Sequence, residues 1–343
     1  MAKQVYCTEW GAAYCADSYS FMKKLDNDSI DLVVTSPPYA LHFKKEYGNA
    51  DQEEYINWFS PFAEEIYRIL KPSGSFVLNI GGTWTPGKPT RSLYHFRLLI
   101  HLCDVVGFSL CQEFFWYNPA KLPAPAEWVN VRRIRVKDSV EYIYWLAKNP
   151  NPKANNTNVL QPYSKDMYRL IQRGITATRR PSGHNIKNSF ALDRGGSIPV
   201  NLIQCGNNES NSAYLAKLKK EGKKIHPARF PADLPKFFIM FLTDPGDLVL
   251  DPFAGSNTTG YVSEMMNRRW LAVEKSEEYI SDSYLRFSHI DDNAIELFKD
   301  GQTQSIQLPL IRELKRAGYY KGTKVVRKKP AADKARISER GQS

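Results

Sequence analysis

The chain has 343 residues, of which 42% are hydrophobic, and its 47 basic and 36 acidic side chains give a formal net charge of +11. This length excludes a small disulfide-stapled domain and predicts one large core with a smaller lobe. No apolar run reaches the roughly 18 to 20 residues of a membrane helix, and no N-terminal run has the pattern of a secretory signal. A soluble, cytoplasmic protein with a polyanionic partner is therefore expected.

Cysteine usage agrees with a reducing compartment. The five cysteines form no Cys-x-x-Cys pair and no Cys/His cluster with zinc spacing. We expect free thiols and no metal site.

The first half of the chain alternates short apolar runs with helical patterns, as βα units do. The patterns predict strands at residues 12–15, 30–35, 75–80, 113–117 and 140–146 and helices at residues 21–25, 53–70 and 93–106. Pro72 and Gly74 are predicted to end the second helix. Residues 1–148 are thus predicted to form the first half of an α/β domain.

From residue 149 to residue 225 Asn, Ser, Gly, Pro and Arg dominate. This segment favours an ordered polar insert over further sheet. The apolar pattern returns in residues 226–300, with a helix through Leu234 and Phe241 and strands at residues 248–250 and 270–273.

Residues 301–343 form a basic tail with few large apolar side chains, which favours flexibility. Three interpretations stay open for this tail: a solvated segment, additional affinity for DNA, or a nuclear address in a eukaryotic host.

A cofactor turn is predicted where the strand at residues 248–250 ends. The motif consists of Asp251, Pro252, Phe253, Ala254, Gly255, Ser256 and Asn257, and Glu274 ends the next strand 23 residues after Asp251 (274 − 251). Ligands of doubly wound sheets bind at such strand ends, and an acidic residue about 20 positions after the turn can bind ribose hydroxyls. The three spaced glycines of a dinucleotide site are missing, which favours a cationic nucleoside with an amino-acid tail.

Each polar residue of this half has a predicted role. Asp251 is expected near the ammonium or sulfonium of the cofactor, Gly255 provides space for the backbone, and Glu274 binds the ribose hydroxyls. Asp17, at another strand end, is expected to accept a hydrogen bond from the adenine amine. A simple helix cap remains the alternative for both aspartates.

The tetrapeptide Ser36-Pro37-Pro38-Tyr39 ends the predicted strand at residues 30–35 and suits chemistry on an aromatic amine. The lone pair of such an amine is delocalised, so a site must accept hydrogen bonds from its N–H groups. Consecutive prolines hold an extended backbone without N–H donors. Ser36 Oγ and the Pro37 carbonyl are the predicted acceptors, and Tyr39 is predicted to stack on the base. A strong general base is not evident.

A target base inside a duplex must be flipped out, and aromatic faces offset that cost. Trp116 and Tyr117 are further stacking candidates, with core packing as the alternative. No Pro-Cys dipeptide exists, which excludes the usual cysteine nucleophile of C5-cytosine methylation.

Together these motifs resemble the amino-group DNA methyltransferases, whose catalytic tetrapeptide is Asp/Asn/Ser-Pro-Pro-Tyr/Phe. The tetrapeptide precedes the cofactor motif, as in the permuted β class, and serine in its first position resembles the N4-cytosine members. The likeness covers roughly residues 10 to 290 and extends to the PvuII-type restriction-modification methyltransferases. Segments that carry it are Thr35–Ala40, Asn118–Lys121, Arg133–Asp138 and His226–Pro231.

The resemblance implies a Rossmann-like S-adenosylmethionine-dependent methyltransferase fold with permuted motif order and an inserted target-recognition region at residues 149–225. It implies that Ser36, Pro37, Pro38 and Tyr39 are catalytic. It also implies that residues 251–257 and Glu274 bind S-adenosylmethionine, with Phe230 completing the pocket. Many relatives carry Gly at the position of Asn257, but Asn can adopt the positive φ that such a turn needs.

Basic side chains supply the candidate contacts to double-stranded DNA. Arg132, Arg133 and Arg135 are predicted to hold phosphates, and Lys44 and Lys45 to clamp the strand with the flipped base. The donors suited to base edges are Arg180, His184 and Arg194. Structural or surface roles remain the alternative for all of these side chains.

The sequence thus predicts a cytosine-N4 DNA methyltransferase, which protects DNA beside a cognate restriction endonuclease. Adenine-N6 methylation and a catalytically silent DNA-binding protein are the open alternatives. The oligomeric state stays open.

Overall fold

A mixed β-sheet forms the centre of the protein. The computed structural model describes residues 2–40, 51–174, 191–207, 212–227 and 229–287 and the strand Glu296–Leu297. All of these residues belong to one unit, residues 1–306. Four predicted DNA contacts (Lys44, Lys45, Arg180 and His184) and the tail at residues 301–343 lie outside the described residues.

Ten strands build the sheet in the described part of the chain. They are β1 (Lys3–Cys7), β2 (Gly11–Cys15), β3 (Ile30–Thr35), β4 (Leu70–Ile80), β5 (Ser109–Tyr117), β6 (Val140–Ala147), β7 (Leu202–Gln204), β8 (Leu248–Asp251), β9 (Arg269–Glu274) and β10 (Glu296–Leu297). Their order is β10-β1-β2-β9-β8-β3-β4-β6-β5-β7. The five central strands, from β2 to β4, pair in parallel. Their carboxyl ends therefore meet at one edge.

Helices cover the sheet. The α-helices of the described residues are α1 (Ser18–Met22), α2 (Tyr55–Ile69), α3 (Tyr94–His101), α4 (Lys165–Arg173), α5 (Ala213–Lys220), α6 (Asp233–Leu242), α7 (Thr258–Met265) and α8 (Glu277–Asp282). Short π-helical segments span Leu102–Val106 and Glu127–Val131, and 3₁₀ turns span Asn156–Val159 and Ser283–Arg286.

Alternating apolar residues of the strands pack against apolar stripes of the helices. Leu32 and Val34 of β3 share one buried cluster with Leu234, Phe238 and Leu242 of α6. Their spacing is two residues along the strand and four along the helix, which places each set on one face. Burial of these faces fixes β3 at the centre of the sheet, since a shift by one residue would expose its apolar set.

Several predicted elements are confirmed. The pattern at residues 30–35 is strand β3, and the pattern at residues 93–106 is α3 continued by the π-helical segment. Gly107 ends that helix with φ 98°, a conformation that glycine adopts without strain. The α/β class with a Rossmann-like parallel core is confirmed as well.

The predicted end of the second helix is confirmed, since α2 ends at Ile69, but the structure of the next residues was not expected. The chain passes from α2 directly into β4 at Leu70, so Pro72 and Gly74 lie within a strand. The pairing of β3 with β4 shifts register between Ile30 and Leu32, and this irregularity accommodates them. The polar segment at residues 149–225 also contributes sheet, because β7 adds a parallel edge strand to β5.

The described residues contain no helix long and apolar enough to cross a membrane. All five cysteines are free thiols, as the sequence predicts. The same described residues contain no cluster of His, Cys, Asp and Glu that can hold a metal ion.

His95 generates a prediction about acid stability. Its ring is buried between Phe96 and Tyr142, at centroid distances of 4.0 and 4.7 Å, and neither ring nitrogen has a hydrogen-bond partner. Burial, with the positive charge of Arg91, lowers the pKa of His95 from 6.5 to about 4. The folded state therefore loses stability relative to the unfolded state as pH falls from 6.5 towards 4.

The free energy of unfolding should decrease less in His95→Phe than in the wild type as the pH falls from 7 to 4.5. We expect this difference to reach up to about 3 kcal/mol. Urea unfolding of both proteins at pH 7, 5.5 and 4.5 measures the difference. Parallel pH dependences of the two unfolding free energies would contradict the prediction.

Candidate functional site

A cavity of about 510 Å³ opens where the carboxyl ends of β2, β3, β8 and β9 meet. One end is lined by the turn after β8 and its neighbours: Asp17, Ser18, Trp58, Phe62, His226, Pro252, Phe253, Ala254, Gly255, Ser256, Thr258, Glu274 and Lys275. The other end is lined by the tetrapeptide (Ser36, Pro37, Pro38 and Tyr39) with Asn79 and Glu141, and Trp116, Asn207, Arg229 and Phe230 also line the cavity. The fold thus brings together the two motifs that the sequence separates by more than two hundred residues.

Asp251, at the end of β8, is enclosed by hydrogen-bond donors of the protein. Its side chain is 2% exposed and is not among the cavity-lining residues. One oxygen accepts hydrogen bonds from Thr35 Oγ1 (2.6 Å) and the Phe253 N–H (3.1 Å), and the other from Thr259 Oγ1 (2.6 Å). Burial raises the pKa of Asp251 to about 6, while these hydrogen bonds oppose the rise. Asp251 therefore ties β3, the turn and α7 together.

The turn after Asp251 has a left-handed backbone at two positions. Gly255 has φ 52° and Asn257 has φ 53°. The Asn257 side chain caps α7 by accepting from the Gly260 N–H (3.0 Å), and it donates to Tyr6 Oη (2.8 Å). The predicted positive φ of Asn257 is confirmed, but this fully buried residue does not line the cavity. Phe253, Ala254, Gly255 and Ser256 do line it.

Glu274, at the end of β9, faces the same turn. One carboxylate oxygen accepts from the Gly255 N–H (2.9 Å) and the other from the Ser276 N–H (2.9 Å). Burial raises the pKa of Glu274, and the backbone N–H groups oppose this rise. A carboxylate oxygen has more than one lone pair, so both oxygens keep capacity for a ligand's hydroxyl groups.

Asp17 is a helix cap that also faces the cavity. Its side chain caps α1 by accepting from the Ser20 N–H (2.9 Å), and it lines the cavity. Phe230 lines the cavity as well.

An aromatic wall completes this end, and no sequence motif indicated it. Trp58 and Phe62 of α2 line the cavity beside Phe253, with ring centroids 6.0 and 5.2 Å from the Phe253 ring. Their spacing of four residues matches an ordinary buried helix face, so only the packing of α2 over the turn reveals their place. Such rings form an apolar surface for a planar group.

The tetrapeptide Ser36–Tyr39 contributes a hydrogen-bonded cluster. Ser36 Oγ lies 3.2 Å from Tyr39 Oη, and Asn79 Nδ2 donates to both atoms, at 3.3 and 3.0 Å. Tyr39 Oη donates to Glu141 Oε2 at 2.7 Å. Burial raises the pKa of Tyr39 well above its ordinary value, and the charge of Glu141 adds to the rise. Tyr39 is therefore a neutral phenol in this cluster.

Sequence reasoning missed Asn79 and Glu141. Each lies within a predicted strand. Side chains alternate between the two faces of a strand, and this alternation alone does not distinguish Asn79 or Glu141 from other polar residues that face solvent. The available signal for Asn79 was a polar residue at the carboxyl end of an apolar strand. Glu141 lies opposite Trp116 in the hairpin of β5 and β6, and this register brings it to the cavity.

The two aromatic candidates of β5 differ. Trp116 lines the cavity but is 4% exposed, and its indole N–H donates to the Cys205 carbonyl (2.9 Å). Tyr117 is not among the lining residues.

Three predicted phosphate contacts lie on the loop between β5 and β6. Arg132, Arg133 and Arg135 are all exposed. Arg132 lies over the Trp128 ring, 5.1 Å from its centroid. Arg194 is also exposed, in the segment that precedes β7.

Comparison with known proteins identifies DNA methylases as relatives of this chain. The family model described as DNA methylase (N6_N4_Mtase) matches residues 30–285. The chain is 51% identical over 297 residues to the type II methyltransferase M.PvuII of Proteus hauseri, covering 86% of this chain and 88% of that protein.

Two solved structures extend the comparison. The PvuII DNA methyltransferase (cytosine-N4-specific) is similar with a TM-score of 0.67 and 44% identity over 86% of this chain and 89% of that chain. A DNA modification methylase of Thermus thermophilus, complexed with S-adenosyl-L-methionine, shares the fold, with a TM-score of 0.52 and 19% identity over 84% and 98% of the chains.

The left-handed position at Asn257 generates a prediction about stability. Asn257→Ala loses two buried hydrogen bonds and keeps the strained φ, whereas Asn257→Gly loses the bonds but relieves the strain. We expect the alanine variant to be about 1–2 kcal/mol less stable than the glycine variant, and both to be less stable than the wild type. Chemical unfolding measures these differences.

Asn267 provides the matched control, because it is exposed and has φ 58°. Asn267→Gly should equal or exceed the wild type in stability. If Asn257→Ala and Asn257→Gly are equally stable, backbone strain does not explain the choice of residue.

Proposed function

The chain belongs to the family of DNA methylases, and from this premise we propose that it transfers a methyl group from S-adenosylmethionine to the N4 amine of cytosine in duplex DNA. The observation that carries the proposal is the shared cavity. A cluster of hydrogen-bonding groups around Ser36 lines one end, and Glu274 with an aromatic wall lines the other.

The residues at the Glu274 end fit the proposed cofactor. The rings of Trp58, Phe62 and Phe253 suit an adenine, and the Glu274 carboxylate suits the two ribose hydroxyls. The Asp17 carboxylate provides a further acceptor, while Asp251 holds the turn in place from behind. When bound, S-adenosylmethionine supplies an electrophilic methyl group. The residues of this end bind and orient it.

The Ser36 end suits a flipped base. Ser36 Oγ accepts a hydrogen bond from the amine and thereby supports the nitrogen as it becomes tetrahedral. Tyr55 Oη donates to the Pro38 carbonyl at 2.8 Å, which holds the proline backbone in place. Positioned acceptors and proximity then supply most of the catalysis. No described lining residue is a cysteine, in agreement with direct attack by the amine.

Two observations support cytosine over adenine as the target. Serine is the first residue of the tetrapeptide. The solved PvuII DNA methyltransferase, which is 44% identical to this chain, is described as cytosine-N4-specific. Similarity to a type II methyltransferase over most of both chains supports a role beside a cognate restriction endonuclease.

Exposed basic side chains supply the proposed DNA contacts. Arg132, Arg133 and Arg135 lie on the exposed loop between β5 and β6, and we assign them to DNA phosphates. Arg180, His184 and Arg194 are assigned by their chemistry alone to base edges or phosphates, and Lys44 and Lys45 to the strand beside the flipped base.

We assign residues 149–225 to target recognition, residues 1–148 and 226–300 to the two halves of the methyltransferase domain, and residues 301–343 to a basic tail. Binding should weaken steeply with salt.

The experiment is identification of the methylated nucleoside. The protein is incubated with unmethylated genomic DNA and methyl-labelled S-adenosylmethionine, and the DNA is digested and analysed by mass spectrometry. N4-methylcytosine is expected, and Ser36→Ala should abolish it while cofactor affinity stays within about twofold. N6-methyladenine would overturn the choice of base, and bound cofactor without transfer would indicate a silent DNA-binding protein.

Gly81 generates a prediction about the tetrapeptide. A Cβ atom at Gly81 would lie 2.5 Å from an edge carbon of the Tyr39 ring, so Gly81→Ala must displace that ring. We expect the methyl-transfer rate to fall by about tenfold or more, because a small misplacement of catalytic groups is costly. Cofactor affinity, measured by calorimetry, should be unchanged, since Gly81 is not among the lining residues of the Glu274 end. An unchanged transfer rate would contradict the prediction.

A further inference from the structure

Glu141 is a carboxylate without an assigned role at the Ser36 end of the cavity. Its side chain is 14% exposed and lines the cavity. One oxygen accepts from Tyr39 Oη at 2.7 Å, and the other accepts from Lys121 Nζ at 3.1 Å. The lining residues include two other carboxylates, Asp17 and Glu274, both grouped with the turn after β8. Glu141 is therefore the carboxylate connected to the catalytic tetrapeptide.

The contacts around Tyr39 fix the direction of its hydrogen bonds. An ionised carboxylate only accepts hydrogen bonds, so the Tyr39 O–H must point to Glu141. Asn79 Nδ2 is a donor, so Tyr39 Oη accepts from it. The 3.2 Å contact between Ser36 and Tyr39 then requires the Ser36 O–H as donor. Ser36 Oγ also accepts from Asn79, and one lone pair remains for a substrate amine.

This direction creates a path for a proton. The N4 amine must lose a proton when its nitrogen binds a methyl group. The Asn79 amide does not take up a proton at neutral pH, and Ser36 and Tyr39 can only pass one on. Burial keeps Tyr39 protonated, because the pKa of its phenol is raised well above the ordinary value.

On the basis of the proposed function, we propose that Glu141 is the terminal acceptor of the proton released from the methylated amine. The amine N–H bond breaks as its proton moves to Ser36 Oγ, the Ser36 hydroxyl proton moves to Tyr39 Oη, and the Tyr39 proton moves to Glu141 Oε2. The products are a neutral methylated amine, neutral Ser36 and Tyr39, and a neutral Glu141 carboxylic acid. Lys121, which is paired with Glu141, has a side chain that is 32% exposed. Solvent therefore reaches this side of Glu141 and can remove the proton there.

The test is single-turnover methyl transfer by the full chain with saturating S-adenosylmethionine and DNA, measured across pH. Glu141→Gln should lower the rate by about 100-fold, within the range of general base catalysis. It should also change the shape of the pH profile below neutral pH, which a merely structural role would not do. Cofactor affinity and the thermal midpoint should stay close to those of the wild type.

Two controls make the result specific. Glu113→Gln changes an exposed glutamate of β5 that does not line the cavity, and it should leave rate and pH profile unchanged. Tyr39→Phe breaks the path, so adding Glu141→Gln to it should cause no further loss. A wild-type rate and pH profile in Glu141→Gln, or additive losses in the double variant, would overturn the proposal. Failure of the wild type itself to methylate DNA would overturn the proposed function instead.

Discussion

The buried carboxylate of Asp251 is the constraint on which the site depends. A charged group with 2% exposure is costly unless donors surround it, and Asp251 receives them from Thr35, Phe253 and Thr259. These donors belong to the end of β3, the turn after β8 and the start of α7. Because each must reach the same two oxygens, their relative positions are fixed within hydrogen-bonding distance. Burial still disfavours the charged form of the carboxylate, and it raises the pKa of Asp251 to about 6.

The geometry of the cavity follows from this anchor. Thr35 directly precedes Ser36, so its bond to Asp251 positions the first residue of the tetrapeptide Ser36–Tyr39. Phe253 and the residues after it form the floor of the other end, and Glu274 receives the Gly255 N–H from the neighbouring strand. The parallel pairing of β3 with β8 supplies the coarse register, with Val33 beside Leu250. Asp251, at the centre of the sheet, thus fixes the positions of both ends of the cavity.

Sequence reasoning succeeded where the signal was local. Strand β3, the left-handed turn at Asn257 and the lining role of Glu274 each follow from a short motif, because strand period and turn chemistry are properties of neighbouring residues. It found the end of α2 before Pro72 but not the strand that contains Pro72 and Gly74, because pairing with β3 is a contact across the sheet. It also did not reveal that two distant threonines enclose the carboxylate of Asp251, since a strand end alone carries no such signal.

The network around Glu141 could not be predicted for a related reason. Glu141 meets Tyr39 only through the hairpin of β5 and β6 and the pairing of β6 with β4, which are contacts across the sheet. In the sequence it is one acidic residue within an aromatic strand. The same holds for Trp58 and Phe62, whose spacing indicates burial but not the cavity that they border.

The role of Asp251 as anchor is tested by the single-turnover methyl-transfer rate of Thr35→Val at saturating cofactor and DNA. Valine keeps the volume of threonine but removes the hydroxyl that binds Asp251. Loss of one bond to a buried charged group costs about 1–3 kcal/mol, so we predict a rate about tenfold or more below that of the wild type in a protein that still folds. A wild-type rate in folded Thr35→Val would show that the catalytic tetrapeptide does not depend on the Asp251 anchor.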